Sequence, residues 1–145
     1  MIEFRFDNLH RILLVTFEAE GTALNFARLD DLLRVFVEQH GTADTIIDFG
    51  VTGIGALNTS DIITRASRPS RMPGRRRVFV AASDHVFGMM RLYGAHQEGI
   101  GESTPTVVRN LDAALALLGT TLDSFKPVCL DGVAPSPEKP DGAMC

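Results

Sequence analysis

Five consecutive apolar residues, Val78-Phe79-Val80-Ala81-Ala82, constrain the fold of this chain more than any other stretch. They show no polar alternation, which is the pattern of a strand covered on both faces, as in parallel sheets flanked by helices. Ser83 follows, and its side chain is suited to accept from the free amides of a helical first turn. Asp84 places a carboxylate at the positive end of the helix dipole, so a helix is predicted to start there. At 100° per residue, Val86, Phe87, Met90 and Tyr93 fall within roughly a 120° arc, wide enough to pack on a sheet. Gly94, Gly99 and Gly101 are expected to weaken and end the helix. The stretch Arg75 to Gly99 therefore reads as a buried strand turning sharply into a helix.

The rest of the chain repeats that alternation. Residues 2 to 6 alternate as an edge strand, Asp7-Asn8 reads as a turn, and Ile12-Leu13-Leu14-Val15-Thr16-Phe17 is a central strand. Asn25 is a candidate cap for a helix carrying Phe26, Leu29, Leu32, Leu33, Phe36 and Val37 at helical spacing, stopped by Gly41. Asp30 and Arg34, four apart on its outward face, read as an ordinary helix ion pair. Thr45 to Phe49 gives a third strand, followed by the glycine-rich loop Gly50 to Leu57. Asn58 with Asp61 resembles a capping box for a short helix with Ile62, Ile63 and Ala66 inward. Thr106-Val107-Val108 is a fifth, short strand. Asn110 caps a last helix with Leu111, Ala114, Leu117 and Leu118 inward, ending at Gly119.

Strands alternating with helices predict a single α/β domain over 1–119, with a mixed, mostly parallel sheet of about five strands packed by about four helices. Its first strand, joined by a tight turn, runs antiparallel to its neighbour. Over 120–145 the chain is expected to dock through Thr121 to Leu130 and then continue as a flexible, proline-rich tail. At 145 residues, one core suffices without disulfides or metal. The two cysteines, Cys129 and Cys145, imply no disulfide framework and read as free thiols. No apolar run is long enough to span a bilayer and no signal-peptide core is evident, so a cytoplasmic protein is expected.

The net charge of −4 conceals an asymmetry. Arg65, Arg68, Arg71, Arg75, Arg76 and Arg77 crowd a window without acids, which reads as a patch for an anionic partner or membrane surface, or as a solvated connection balancing an acidic remainder. Nucleic-acid binding is disfavoured, because the chain as a whole is acidic and has one tyrosine and no tryptophan for base stacking. The loop Gly50-Val51-Thr52-Gly53-Ile54-Gly55 lies between a strand and a helix, but it has neither the G-x-G-x-x-G spacing nor a P-loop lysine. Tight backbone turns explain it better than nucleotide binding. His85 and His96 share a helix face about 16 Å apart, too far to bind one metal. No G-x-S-x-G turn exists for a serine triad. Glu18, Glu20 and Asp48 stand near strand ends, where surface or capping roles are commoner than acid–base catalysis. No cofactor is implied.

The sequence Phe87-Gly88-Met89-Met90-Arg91-Leu92-Tyr93 after a capped hydrophobic strand, then Val108-Arg109-Asn110-Leu111-Asp112-Ala113-Ala114-Leu115, resembles the small STAS-like family related to SpoIIAA, the anti-sigma-factor antagonist. The exit Asp48-Phe49-Gly50-Val51-Thr52 is similar too. The resemblance covers residues 1 to 119. It implies a mixed sheet packed by helices, without catalysis, acting through protein contacts. Phosphorylatable members carry a serine in a D-S-S-G-type turn, which this chain lacks; Thr59 and Ser60 are the nearest hydroxyls. Distant relatives of the fold bind lipids or other apolar ligands.

Two functional expectations follow. The first is a regulatory protein-interaction module, with Thr52, Asn58, Thr59 and Ser60 on a contact edge and phosphorylation of Thr59 or Ser60 set against simple helix capping. The second is a small-molecule or lipid-binding domain with a pocket between the 84–98 helix and the sheet. Phe87, Met90, Arg91 and Tyr93 would line it, and Arg91 would pair an anionic head group. Homodimerisation through Met89 and Leu92 is set against their covering a second core.

Overall fold

In the computed structural model of the chain, residues 2–17, 23–50, 58–128 and 130 are described. The alternation of the first residues becomes β1 (Ile2–Asp7), which pairs antiparallel with β2 (Ile12–Phe17) in the register Ile2↔Phe17 to Asp7↔Ile12. The connecting turn is made by Asp7, whose Oδ1 accepts from the amides of Leu9 and His10 at 3.1 Å each. Arg11 closes it in the left-handed region at φ 53°.

Helix α1 (Ala23–His40) then leads to β3 (Asp44–Asp48), α2 (Thr59–Ala66), β4 (Arg77–Val80), α3 (Asp84–Gly99), β5 (Thr106–Val108) and α4 (Leu111–Leu118). A 3-10 turn, Leu122–Ser124, precedes β6 (Lys126–Pro127). The sheet order is β5-β4-β3-β2-β1-β6. Neighbours from β2 to β5 are parallel, whereas β1 pairs antiparallel with both β2 and β6. The architecture is therefore the mixed, mostly parallel α/β sheet that the sequence predicts, with a sixth strand beyond the expected five. That strand comes from the segment after residue 119, where Val128 also donates to Phe4 O at 3.0 Å and Val128 and Leu130 are buried. Cys129, Cys145 and the rest of the expected tail lie outside the described residues.

Local chemistry sets the helix ends. Ser83 accepts from Val86 N, Asn110 accepts from Ala113 N, and Asn58 and Asp61 form a reciprocal capping box. Gly119 ends α4 at φ 73°. Helix α1 begins at Ala23, ahead of the expected cap Asn25, whose side chain lies outside the described residues. Gly94 does not weaken α3: the helix runs on to Gly99, and at Gly94 a Cβ would lie 3.3 Å from Thr104 Cγ2. The glycine permits the segment leading into β5 to pack directly on the helix.

Strand periodicity divides the core into two layers. Leu13, Val15 and Phe17 face one way, together with Phe79 and Ala81, and meet buried residues of α1, α2 and α3. Ile12, Leu14, Ile46, Val78 and Val80 face the other way onto Ala114, Leu115 and Leu118 of α4. Met89 is buried in the first layer and Leu92 packs against it, so the pair considered for dimerisation covers the core instead. None of the described helices is long and apolar enough to cross a membrane.

Asp7 ties the two ends of the domain together. Its carboxylate, 1% exposed, also accepts from His10 Nδ1 at 2.7 Å and Thr120 Oγ1 at 2.6 Å. Burial pushes its pKa up, but the hydrogen bonds from Thr120 and His10 together outweigh that and hold it below the ordinary 3.8. A folded-state pKa below the unfolded one means the ionised group stabilises the fold at neutral pH and loses that contribution as pH falls through the folded value. Urea unfolding should therefore show stability declining below about pH 4, and Asp7→Asn should cost roughly 2–4 kcal/mol near neutrality while flattening part of that decline. An unchanged acid limb in the variant would count against this role.

Candidate ligand cleft

The parallel register places Thr45 beside Arg77 and Ile47 beside Phe79. Because side chains alternate along strands, these four share the face that meets α1, α2 and α3. Above them lies a cleft of about 450 Å3, walled by Phe26, Leu29 and Leu33 of α1, Ile62 of α2, and Met90 and Tyr93 of α3. The cleft residues Phe49, Phe79 and Tyr93 belong to an aromatic band that continues to Phe17. Phe17 stacks on Phe49 at 5.5 Å, Phe49 meets Phe79 edge-on at 6.1 Å, and Phe79 meets Tyr93 at 5.6 Å.

Charged groups ring this apolar interior. Arg65 reaches from α2 to Asp30 of α1 through two hydrogen bonds, at 2.5 and 3.0 Å, and its guanidinium lies 4.7 Å from the centre of the Phe26 ring. Asp30 is thus committed across the cleft. The expected Asp30–Arg34 helix pair does not form, and Arg34 pairs with Glu38 at 3.1 Å. Arg68 lies 3.8 Å from Asp30, and it and Arg71 are exposed at the rim. Arg75 and Arg76 turn away to Asp44, at 3.5 and 3.0 Å. The basic window is therefore divided between structural ion pairs and one side of the cleft.

Arg77 differs from the others because it is buried, 9% exposed. Its guanidinium donates to Gln97 Oε1 at 2.9 Å, to Ser103 O, and to Tyr93 Oη at 3.5 Å. These acceptors are neutral, and no carboxylate among the described residues forms an ion pair with it. Its Nε is buried without a hydrogen-bond partner. Gln97 is itself 0% exposed and donates to Ala66 O at 2.7 Å and Arg68 O at 2.8 Å. One amide thus joins the end of α2, the arginine connection, α3 and the start of β4.

The residues expected to form one pocket are divided between two faces of α3. Met90 and Tyr93 line the cleft just described. Phe87 and Arg91 instead border a smaller depression with Gly94, Glu98 and Pro105, where Arg91 is exposed. Phe87 lies under two guanidinium groups, Arg91 at 6.0 Å and Arg109 at 4.0 Å. The reason is angular: Phe87 and Arg91 are one turn apart on one side, and Met90 and Tyr93 are on the side that faces the sheet. Arg91 is therefore not part of the larger cleft.

Asn58, Thr59 and Ser60 are exposed at the start of α2, where Asn58 and Asp61 supply the cap. Thr52, Glu18, Glu20 and most of the glycine-rich loop lie outside the described residues. Asp48 has a turn role, accepting from Gly50 N at 2.8 Å. His85 and His96 are exposed, and no metal-binding group of three His, Cys, Asp or Glu side chains occurs among the described residues. Arg77, Thr45 and Ile47 are cleft residues absent from the sequence expectation, because only the β3–β4 register brings them together, and Gln97 joins Arg77 only through the packing of α3. The available signal was an arginine opening an otherwise apolar strand.

Compared with known proteins, the chain matches no protein-family model, and no match to a curated protein is found.

The Gln97 node predicts a large local effect. Gln97→Ala should cost roughly 2–4 kcal/mol in urea unfolding, because it strands a buried guanidinium and two carbonyls. Gln97→Glu should not restore stability, since its oxygen would face the Ala66 and Arg68 carbonyls that now accept from the amide. A Gln97→Glu variant as stable as the native chain would contradict this reading.

Proposed function

We propose that this chain is a cytoplasmic, non-enzymatic binding domain that holds a small amphipathic ligand between the sheet and helices α1, α2 and α3. The supporting observation is the cleft of about 450 Å3 with aromatic and aliphatic walls and an arginine-bearing margin. Ligand sites of this kind are concave, mostly apolar, and supplied with a few polar groups that fix orientation. An apolar cavity without a guest also forgoes dispersion contacts, so a guest that fills it stabilises the folded state. The neutral dye Nile red should bind with increased fluorescence, and decanol should displace it. Ile47→Trp, which projects bulk from the floor, should weaken both by roughly tenfold or more, about 1.4 kcal/mol, with the circular dichroism spectrum retained. Equal binding by the folded variant, or no binding by the native chain, would refute the proposal.

A second reading, a regulatory protein-interaction module of the STAS-like, anti-sigma-factor-antagonist type, draws support from the exposure of Asn58, Thr59 and Ser60. The cap uses Asn58 and Asp61, leaving the Thr59 and Ser60 hydroxyls free of that duty. On this reading Thr59→Gln with Ser60→Gln should leave thermal stability nearly unchanged and abolish capture of a protein partner from native lysate. Capture that is indifferent to both substitutions would remove the α2 edge from consideration.

A further inference from the structure

The geometry points to a specific ligand class for this cleft: a monocarboxylate with a compact apolar tail, its head group held by Arg77 and Tyr93. This inference rests on the ligand-binding reading above and adds to it the chemistry of the head group.

Arg77 carries a permanent charge, is more than nine-tenths buried, and among the described residues its hydrogen-bond acceptors are all neutral. Burying a guanidinium without a counter-charge is costly, and an anion brought to it is correspondingly favoured. Its Nε is buried and has no hydrogen-bond partner among the described residues, so the guanidinium is only partly satisfied, and the residue lines the cleft. Tyr93 lines the same cleft and accepts weakly from Arg77, so its own proton is left to donate. One buried cation and one hydroxyl donor suit the single charge of a carboxylate. A phosphate monoester, with more charge and three acceptor oxygens, exceeds what this cation and hydroxyl provide. Phe49, Phe79 and Met90 offer the tail an apolar surface. Arg91 takes no part, being exposed on the other side of α3.

Nile red displacement from the full chain by decanoate, decanol and decyl phosphate tests this assignment. Decanoate should compete roughly tenfold more tightly than decanol, the increment expected for a hydrogen bond to a charged group. That preference should persist in 0.5 M salt, because a buried charge is screened far less than the exposed Arg68 and Arg71. Tyr93→Phe should weaken decanoate and leave decanol unchanged. Arg77→Met should level the two, and Arg91→Met should leave the preference intact. Should Arg77→Met fail to fold, the native chain and Tyr93→Phe still decide the matter. Equal affinity of decanoate and decanol for the native chain would overturn the carboxylate inference while leaving the cleft a binding site. A preference erased by salt or by Arg91→Met would overturn it in favour of a surface cation, and decyl phosphate binding tighter than decanoate would overturn the head-group class. Failure of Nile red and all three competitors to bind would overturn the binding reading and this inference with it.

Discussion

The hydrogen bond from Arg77 to Gln97 is the interaction on which the cleft side of the domain depends. Arg77 opens β4, and Gln97 lies in the last turn of α3, twenty residues later. By donating onward to Ala66 O and Arg68 O, Gln97 also fixes where α2 stops and where the arginine connection begins. Low dielectric strengthens such bonds and equally penalises any that are missing, so the network specifies one arrangement of three elements. The incomplete satisfaction of Arg77 is then significant. The node satisfies Arg77 through both of its terminal nitrogens and leaves Nε without a partner among the described residues.

The apolar space follows from how the layers are filled. On the α4 side, branched residues of β2, β3 and β4 meet a short, alanine- and leucine-rich helix closely. The opposite face is covered by three helices, two of which are joined by the Asp30–Arg65 pair across the cleft mouth. Rings on the floor are large and rigid, and the edge-on Phe49–Phe79 and tilted Phe79–Tyr93 contacts form a continuous band. The open cleft thus lies on one face of the sheet and the closely packed α4 layer on the other.

Much of this was legible in the sequence. The apolar run over 78–82 marks a strand buried on both faces, although the strand ends at Val80 and Ala82 is exposed, and the caps at Asn58, Ser83 and Asn110 mark helix starts because capping is a local hydrogen-bond problem. Long-range choices were not legible. Asp30 prefers Arg65, thirty-five residues away, to Arg34 one turn on, because the distant arginine also packs on Phe26. Phe87 and Met90 share an arc that is correct for packing but too wide to define a single cavity, and they border different depressions. Sequence alone makes Gly94 a helix breaker, yet the close approach of Thr104 explains it as a packing residue. The cleft itself depends on the pairing of Thr45 with Arg77, a register that neither strand encodes alone.

The central claim is that a buried guanidinium in the floor of the cleft receives the ligand's charged end. Nitrogen-15 NMR of the arginine side chains tests it most directly, by following each Nε–Hε resonance as decanoate is added. The account predicts a saturable shift of the Arg77 resonance, in step with shifts of Phe79 and Tyr93, while the Arg91 resonance stays still. An Arg77 signal that does not respond while Arg91 or Arg71 does would contradict it.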